Sequence, residues 1–163
     1  MFQNNYQNRT YIGAVFQIDH FAPKNRFGEL ETEYSNLVYA CPSCNRSKWD
    51  DWPMDSHSPS HDGSRGYIDP CETEDDTHLV RKKCGTIVGK TPVGVYMRHK
   101  LKLHALKHKY LWLLDIAHHQ CEEIIQFLET VDESDPDVKA LVEKYTELSM
   151  HYFKYHKIIR DYK

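Results

Sequence analysis

Residues 40–48, ACPSCNRSK, contain a Cys-x-x-Cys pair followed by a polar, basic turn. The short apolar run before it, NLVYAC, is typical of a strand. The segment NRSKW comes after it, and a short helix is predicted to begin near Asn45, which is a good N-cap residue. Upstream, residues 11–21 are rich in β-branched and aromatic side chains and predict another strand, while residues 22–29 predict a loop. The expected local order is strand, loop, strand and helix.

Polar side chains suited to phosphodiester chemistry occur at defined points of this unit. Asp19 and His20 end the first strand, Asn36 opens the second, and Asn45 and Lys48 follow the cysteines. These positions converge if the strands pair and the helix start lies across them. A hard divalent cation prefers the oxygen ligands that Asp and Asn supply, and histidine has a suitable pKa to take a proton from water. The pattern therefore predicts a pocket for metal-assisted phosphodiester hydrolysis.

The stretches QIDHFAPKN and YSNLVYACPSCNRSK together resemble the HNH endonuclease family, with its ββα-metal fold. The three named positions would be His20, Asn36 and Asn45, the last being Asn where many members have His. Residues 66–112 resemble a stretch that follows the motif in one small bacterial subgroup. Two features depart from the family. Many zinc-bearing members have a Cys-x-x-Cys before the Asp-His pair, and this chain has none. The motif also begins close to the first residue, where a preceding element is expected to be absent.

The resemblance implies a role for each matching residue. His20 would be the general base, and Asp19 and Asn45 would be ligands of a catalytic Mg²⁺ or Mn²⁺. Asn36 would hold the loop and orient His20, and Lys48 would stabilise phosphate charge. The resemblance implies an endonuclease that hydrolyses phosphodiester bonds, with DNA as the expected substrate. Small proteins of this appearance often serve in phage defence or mobile elements, beside an ATPase or another sensor.

The cysteines predict a second metal site, for a structural zinc. The chain has five cysteines, an odd number that favours thiols and metal ligation over a disulfide framework. Cys41 and Cys44 need two further ligands, because structural zinc is almost always four-coordinate. Cys71, which lies in the rigid turn IDPC, is the predicted third ligand. The fourth ligand is His78, which the subgroup resemblance favours, or Cys84, which thiolate softness favours.

The second half of the chain has the pattern of a helical hairpin. From about residue 96, apolar residues recur at three- and four-residue steps, with Cys121 on the apolar stripe. Asp135 and Pro136 then form an N-cap and first helical position. We expect an antiparallel hairpin that serves assembly, as a homodimer or with a partner protein. The predicted fold class is α+β: a ββα-metal nuclease unit with a zinc-stabilised insertion, residues 1–95, and the hairpin, residues 96–163.

Composition limits the remaining possibilities. The chain has 163 residues, 40% of them hydrophobic, and a net charge of −3, which argues against a strong non-specific nucleic-acid binder. No apolar run approaches the ~20 residues that cross a bilayer, and no secretory signal is visible, so the cytoplasm is the expected location. The alternative function is a zinc-stabilised binding or assembly subunit with weak or partner-dependent nuclease activity. Trp49 and Trp52 are expected to cover the core beneath the short helix, with base stacking as the alternative.

Overall fold

The structure, a computed structural model, describes residues 16–71, 75–132 and 134–162. The chain divides into two compact units. The first contains the described residues up to Lys82 together with Ile87–His104, and the second contains Lys83–Thr86 together with the residues from Ala105 onward. The predicted domains 1–95 and 96–163 stay predictions. The combination of short strands and helices confirms the predicted mixed fold class.

Two short strands form the predicted pair at the start of the first unit. Strand β1 is Gln17–His20 and strand β2 is Leu37–Ala40. They pair antiparallel, with Gln17 opposite Ala40 and His20 opposite Leu37. The loop between them contains two single turns of 3-10 helix, Gly28–Leu30 and Tyr34–Asn36. The first part of the predicted first strand, residues 11–15, lies outside the described residues.

Helix α1, Pro42–Lys48, follows β2 and begins earlier than predicted. Its N-cap is Cys41, whose sulfur accepts a hydrogen bond from the backbone N–H of Cys44. Pro42 takes the first helical position, where its fixed φ suits the helix and its missing N–H is not needed. The prediction that the helix begins near Asn45 was therefore wrong. Asn45 lies within the helix, three residues before Lys48.

The rest of the first unit is built from four short elements after an irregular connection. Residues 53–70 contain one isolated bridge, His61 to Gly66, as the Pro, Gly and Ser content predicted. Helix α2 is Asp75–His78, strands β3 and β4 are Leu79–Arg81 and Ile87–Gly89, and helix α3 is Pro92–Lys100. Strands β3 and β4 pair antiparallel. The prediction that the long amphipathic helix begins near residue 96 was wrong, because residues 96–100 end α3, which starts at the Thr91 N-cap.

The core of the first unit combines aromatic and aliphatic residues from the loop after β1, the segment after α1, the strands β3 and β4, and α3. Trp52 is 3% exposed and stacks on Tyr67 at a centroid distance of 6.0 Å. Trp49, in contrast, is 70% exposed, so the expectation that it covers the core was wrong. It is the residue at which the chain leaves α1, with φ 50° and ψ −123°. The buried apolar residues of this core are Ala22, Phe27, Trp52, Tyr67, Ile68, Leu79, Ile87, Val93 and Met97.

The second unit is the predicted helical hairpin. Helix α4 is Leu106–Leu128 and helix α5 is Pro136–Asp161. The Asp135 side chain caps α5 by accepting from the Asp137 N–H, with Pro136 in the first turn, which confirms the predicted start.

Contacts between the two helices establish their direction. Cys121 lies near Ser149, His118 near Tyr152 and Tyr110 near Tyr155, so one number falls as the other rises and the helices are antiparallel. Cys121 is buried, as predicted. No helix in the described part of the chain has both the length and the apolar character to span a bilayer.

Candidate active site

One face of β1 lies against one face of α1, and this contact brings together three of the predicted site residues. Gln17 and Asp19 are two apart on a strand and therefore share a face. Asn45 and Lys48 are three apart on a helix and also share a face. The Asn45 Nδ2 donates to the Gln17 Oε1 at 3.2 Å, and the Lys48 Nζ lies 3.4 Å from the Asp19 Oδ2. The hydrogen bond from its nitrogen thus orients the Asn45 amide, and the amide oxygen is the atom suited to bind a metal.

Lys48 is a buried lysine, only 5% exposed. Its ammonium donates to the His20 carbonyl at 2.7 Å and lies 5.9 Å from the centre of the Tyr67 ring. Burial lowers the pKa of Lys48, and the Asp19 charge opposes that change. The predicted role in stabilising phosphate charge stays a prediction. The polar contacts given above for the ammonium are with Asp19 and His20, the two residues that end β1.

Asp19 lies in a low-polarity environment, and the Lys48 ammonium offsets only part of the cost of burying its charge. Its side chain is 12% exposed. Burial raises the pKa of the Asp19 carboxyl, and the Lys48 ammonium opposes the rise. The 3.4 Å separation is longer than the ~2.7–2.9 Å of a tight charged hydrogen bond. A carboxylate in this state and the Asn45 carboxamide oxygen on the facing helix are both donors of the oxygen type that Mg²⁺ or Mn²⁺ prefers.

His20 is fixed by the loop between the strands. Its Nε2 lies 2.9 Å from the Glu31 carbonyl oxygen, and the Glu31 carboxylate forms an ion pair with Lys24 at 2.6 Å. A carbonyl oxygen only accepts hydrogen bonds, so a neutral His20 in this contact carries its proton on Nε2. The Nδ1 atom then has the lone pair. This is the protonation state that a general base requires.

Asn36 fastens the same loop. It is 6% exposed, and its Oδ1 accepts from the Ala22 N–H at 2.7 Å. Its Nδ2 donates to the carbonyls of Ala22, at 3.0 Å, and Leu30, at 3.2 Å. Its own carbonyl accepts from the N–H of Phe21, the residue after His20, at 2.8 Å. Asn36 therefore ties both ends of the loop that positions His20. The assigned catalytic roles themselves stay predictions.

A second group of polar residues supports the site, and sequence reasoning missed it. The Asp51 carboxylate accepts from the hydroxyls of Tyr67, at 2.7 Å, and Tyr96, at 2.6 Å, and from the Lys100 ammonium at 2.6 Å. Burial raises the pKa of Asp51, but the hydrogen bonds from Lys100, Tyr96 and Tyr67 outweigh it and the net pKa is lowered. Tyr67 in turn covers Lys48. The one sequence feature that pointed to this group was the acidic pair directly after Trp49, Asp50 and Asp51.

The Cys-x-x-Cys pair has the geometry of half a zinc site. The sulfurs of Cys41 and Cys44 lie within 4.8 Å of each other. Two sulfurs on one tetrahedral zinc, at Zn–S of ~2.3 Å, are about 3.8 Å apart, so a small side-chain rotation suffices. The Cys44 N–H donates to the Cys41 sulfur at 3.4 Å. These residues fit zinc.

The other predicted zinc ligands are placed as follows. Cys71 is exposed, and its N–H donates to the Asp69 carboxylate at 2.8 Å. The His78 Nδ1 lies 2.8 Å from the Thr91 hydroxyl. Among the described residues, neither joins Cys41 and Cys44 in a ligand group within 4.8 Å. Cys84 lies in the second unit. Cys71 with His78 or Cys84 stays a prediction.

Comparison with protein families gives a match at the candidate site. Residues 8–51 match the family model described as HNH endonuclease, a range that includes Asp19, His20, Asn36, Asn45 and Lys48. This confirms the family resemblance over that part of the chain and supports nuclease activity in general terms. No curated protein and no solved structure matches the chain significantly.

Proposed function

Because residues 8–51 carry an HNH endonuclease domain, we propose that this chain is a metal-dependent endonuclease that cuts DNA. The observation that carries the proposal is the joint placement of Asp19 and Asn45 between β1 and α1, with His20 fixed at the end of the same strand. An acceptor imidazole, a carboxylate and a carboxamide oxygen form the set that hydrolysis of a phosphodiester requires.

Asp19, through its carboxylate, and Asn45, through its Oδ1, would hold Mg²⁺ or Mn²⁺. When bound, such an ion neutralises the charge that develops on the phosphate and the leaving oxygen. His20 takes the proton from the attacking water at Nδ1. The imidazolium that results is stabilised by its Nε2–H bond to the Glu31 carbonyl. The new bond joins the water oxygen to phosphorus, the bond to the 3′ oxygen breaks, and that oxygen takes a proton from solvent water, leaving 5′-phosphate and 3′-hydroxyl ends.

Lys48 contributes by holding the end of β1. Its ammonium contacts the Asp19 carboxylate and the His20 carbonyl together, so it fixes the spacing between the metal ligand and the base. The positive charge also favours the ionised form of Asp19 against the effect of burial. A lysine so deeply buried acts on the substrate through these two residues.

Zinc at Cys41 and Cys44 would stabilise the start of α1. Cys41 is the N-cap of the helix that carries Asn45, and Cys44 lies in its first turn. A structural zinc contributes directly to folding free energy, so it would fix the position of Asn45 relative to β1.

The hairpin is proposed to serve assembly, with a second copy or a partner protein. Only a few of its described residues are buried, namely Leu114, Ala117, Cys121 and Leu148. Large apolar side chains on it remain exposed: Leu106, Ile125, Phe127, Val142, Met150, Phe153 and Tyr162. Aromatic residues and methionine are enriched at protein interfaces.

The decisive experiment is cleavage by the purified chain of plasmid DNA, single-stranded DNA and RNA, with Mg²⁺, with Mn²⁺ and with neither. We expect DNA to be cut when Mg²⁺ or Mn²⁺ is present and not when both are absent. His20→Ala should slow it by about 10²–10⁴-fold, since a positioned base contributes that much. His119→Ala, an exposed histidine of α4, is the matched control and should cut normally. Cutting by His20→Ala at the wild-type rate, or no cutting of any substrate, would contradict the proposal.

A further inference from the structure

Trp49 is an exposed aromatic residue at the end of the helix that carries the candidate metal ligand. It is 70% exposed, and its backbone has φ 50° and ψ −123°. Residues other than glycine rarely adopt this backbone conformation, so Trp49 is strained at a position where glycine would not be. Observed strain of this kind is a reason to look for a function.

The fold itself makes little use of the indole. Trp52, three residues later, fills the core at 3% exposure and donates from its indole nitrogen to the Ser56 carbonyl at 2.9 Å. The part of Trp49 that closes α1 is its backbone N–H, which donates to the Asn45 carbonyl at 2.8 Å. Any residue with an N–H serves that purpose. The large exposed side chain is therefore available for a ligand.

The position of Trp49 suits a nucleic-acid strand in the candidate active site. It is the residue after Lys48 and lies one helical turn beyond Asn45, about 6 Å along the axis. Successive bases of a strand rise about 3.4 Å each, so Trp49 is within about two bases of a phosphate held at Asn45. Arg46, three residues before Trp49 on α1, is also exposed and suits a flanking phosphate.

The charge of the chain favours a contact of this kind. The net charge is −3, so attraction to phosphates is weak over the molecule as a whole. Stacking of a base on an aromatic side chain does not depend on net charge and tolerates any base. It requires a base that is out of the double helix.

We propose that Trp49 stacks on an unpaired base close to the cleaved phosphate, so that the enzyme acts on single-stranded or locally unpaired nucleic acid. The inference rests on the proposed function and adds the substrate form to it. Trp49 is then a substrate-contact residue, and its backbone strain is retained because glycine would remove the contact.

The test measures binding in the His20→Ala background with Mg²⁺ present, so that the strand is not cut. Two labelled probes of equal length are used: a single strand of mixed sequence, and a strand of abasic residues with the same phosphates. Trp49→Ala should weaken binding of the base-containing strand by about 5- to 150-fold. It should leave binding of the abasic strand unchanged. Equal loss on both strands, or loss on neither, would overturn the inference.

Further variants separate stacking from folding. Trp49→Tyr should retain most of the affinity, and a loss as large as that of Trp49→Ala would contradict stacking. Trp49→Gly should bind as weakly as Trp49→Ala but have a higher melting temperature, because the strain is relieved. A lower melting temperature for Trp49→Gly would show that the fold needs the side chain. Tyr39→Ala, 61% exposed on β2, is the control and should bind normally.

The outcomes also distinguish this inference from the proposed function. A wild-type chain that neither binds nor cuts any nucleic acid would remove both. A chain that cuts with a divalent ion, while Trp49→Ala binds both strands like its parent, would remove the stacking contact alone. That second result would instead suit an exposed indole that docks on a protein.

Discussion

Replacing Lys48 with methionine tests the electrostatic design of the site. The methionine keeps much of the side-chain volume but removes the ammonium, leaving the Asp19 carboxylate, 12% exposed, without its compensating charge. At 3.4 Å and an effective dielectric constant of ~20, the lost attraction is about 5 kcal/mol. Asp19 avoids this loss of attraction if it binds a proton and becomes neutral. Protonation therefore limits the loss of folding free energy to about 4.4 kcal/mol at pH 7, which is 1.36 kcal/mol for each pH unit above the usual pKa of Asp19.

We expect Lys48→Met to lower the free energy of unfolding by about 3 kcal/mol at pH 7, below this limit because some water reaches Asp19. The effect has a defined pH dependence. Burial already raises the pKa of Asp19 above 3.8 in the folded wild type, and loss of the Lys48 ammonium raises this pKa further, so the variant has its additional loss of stability only as the pH rises above 3.8. The difference between variant and wild type should therefore be small near pH 4 and grow as the pH rises.

Urea unfolding across this pH range gives the measurement. Adding Asp19→Asn to Lys48→Met should restore most of the stability, because no charge then remains buried. Lys24→Met, which removes an exposed ion pair with Glu31, should change stability little. If Lys48→Met is as stable as wild type, or if Asp19→Asn brings no recovery, the buried pair does not have the role described.

Other variants probe the loop that positions His20, the packing between α2 and α3, the hydrogen bonds of Asp51 and the zinc site. Asn36→Ala should cost about 2–3 kcal/mol in urea unfolding, since it leaves a buried backbone N–H without its acceptor; an unchanged midpoint would contradict this. Gly94→Ala should cost at least about 3 kcal/mol, because its Cβ would lie 2.0 Å from a backbone oxygen of α2, whereas Gly28→Ala meets nothing within 4 Å and should be tolerated. Asp51 has a lowered pKa, so wild type should lose stability as the pH falls below 3.8; Asp51→Asn should lose this acid dependence, and equal pH profiles would refute it. Cys41→Ser should contain less zinc by metal analysis and melt at a lower temperature; equal zinc in both proteins would remove the proposed site.

The elements around the candidate site could be predicted because their signals are local. Both strands and the start of α5 follow from short-range patterns, and the residues that meet between β1 and α1 lie within one motif. The start of α1 was misplaced because a cysteine sulfur took the capping role that Asn45 was expected to have.

The burial of Lys48 and the exposure of Trp49 could not be predicted from the sequence. They are adjacent residues at a helix end, and which one turns inward depends on partners far along the chain. Tyr67 covers Lys48, and Asp51 fixes Tyr67 at a separation of 16 residues and Tyr96 at 45. No periodic pattern links such positions. Composition alone favours the lysine outside and the tryptophan inside.

The distance in sequence between Lys48 and its cover has a consequence for protein synthesis. Strands β1 and β2 and helix α1 all lie within residues 17–48, so they are able to form before the later part of the chain leaves the ribosome. The Tyr67 ring and the α3 residues that anchor Asp51, at separations of 45 and 49, emerge later. Until then, water reaches Lys48 and Asp19, and neither has the pKa of the finished protein. A nascent chain thus has the residues of the candidate site before it has their electrostatic environment.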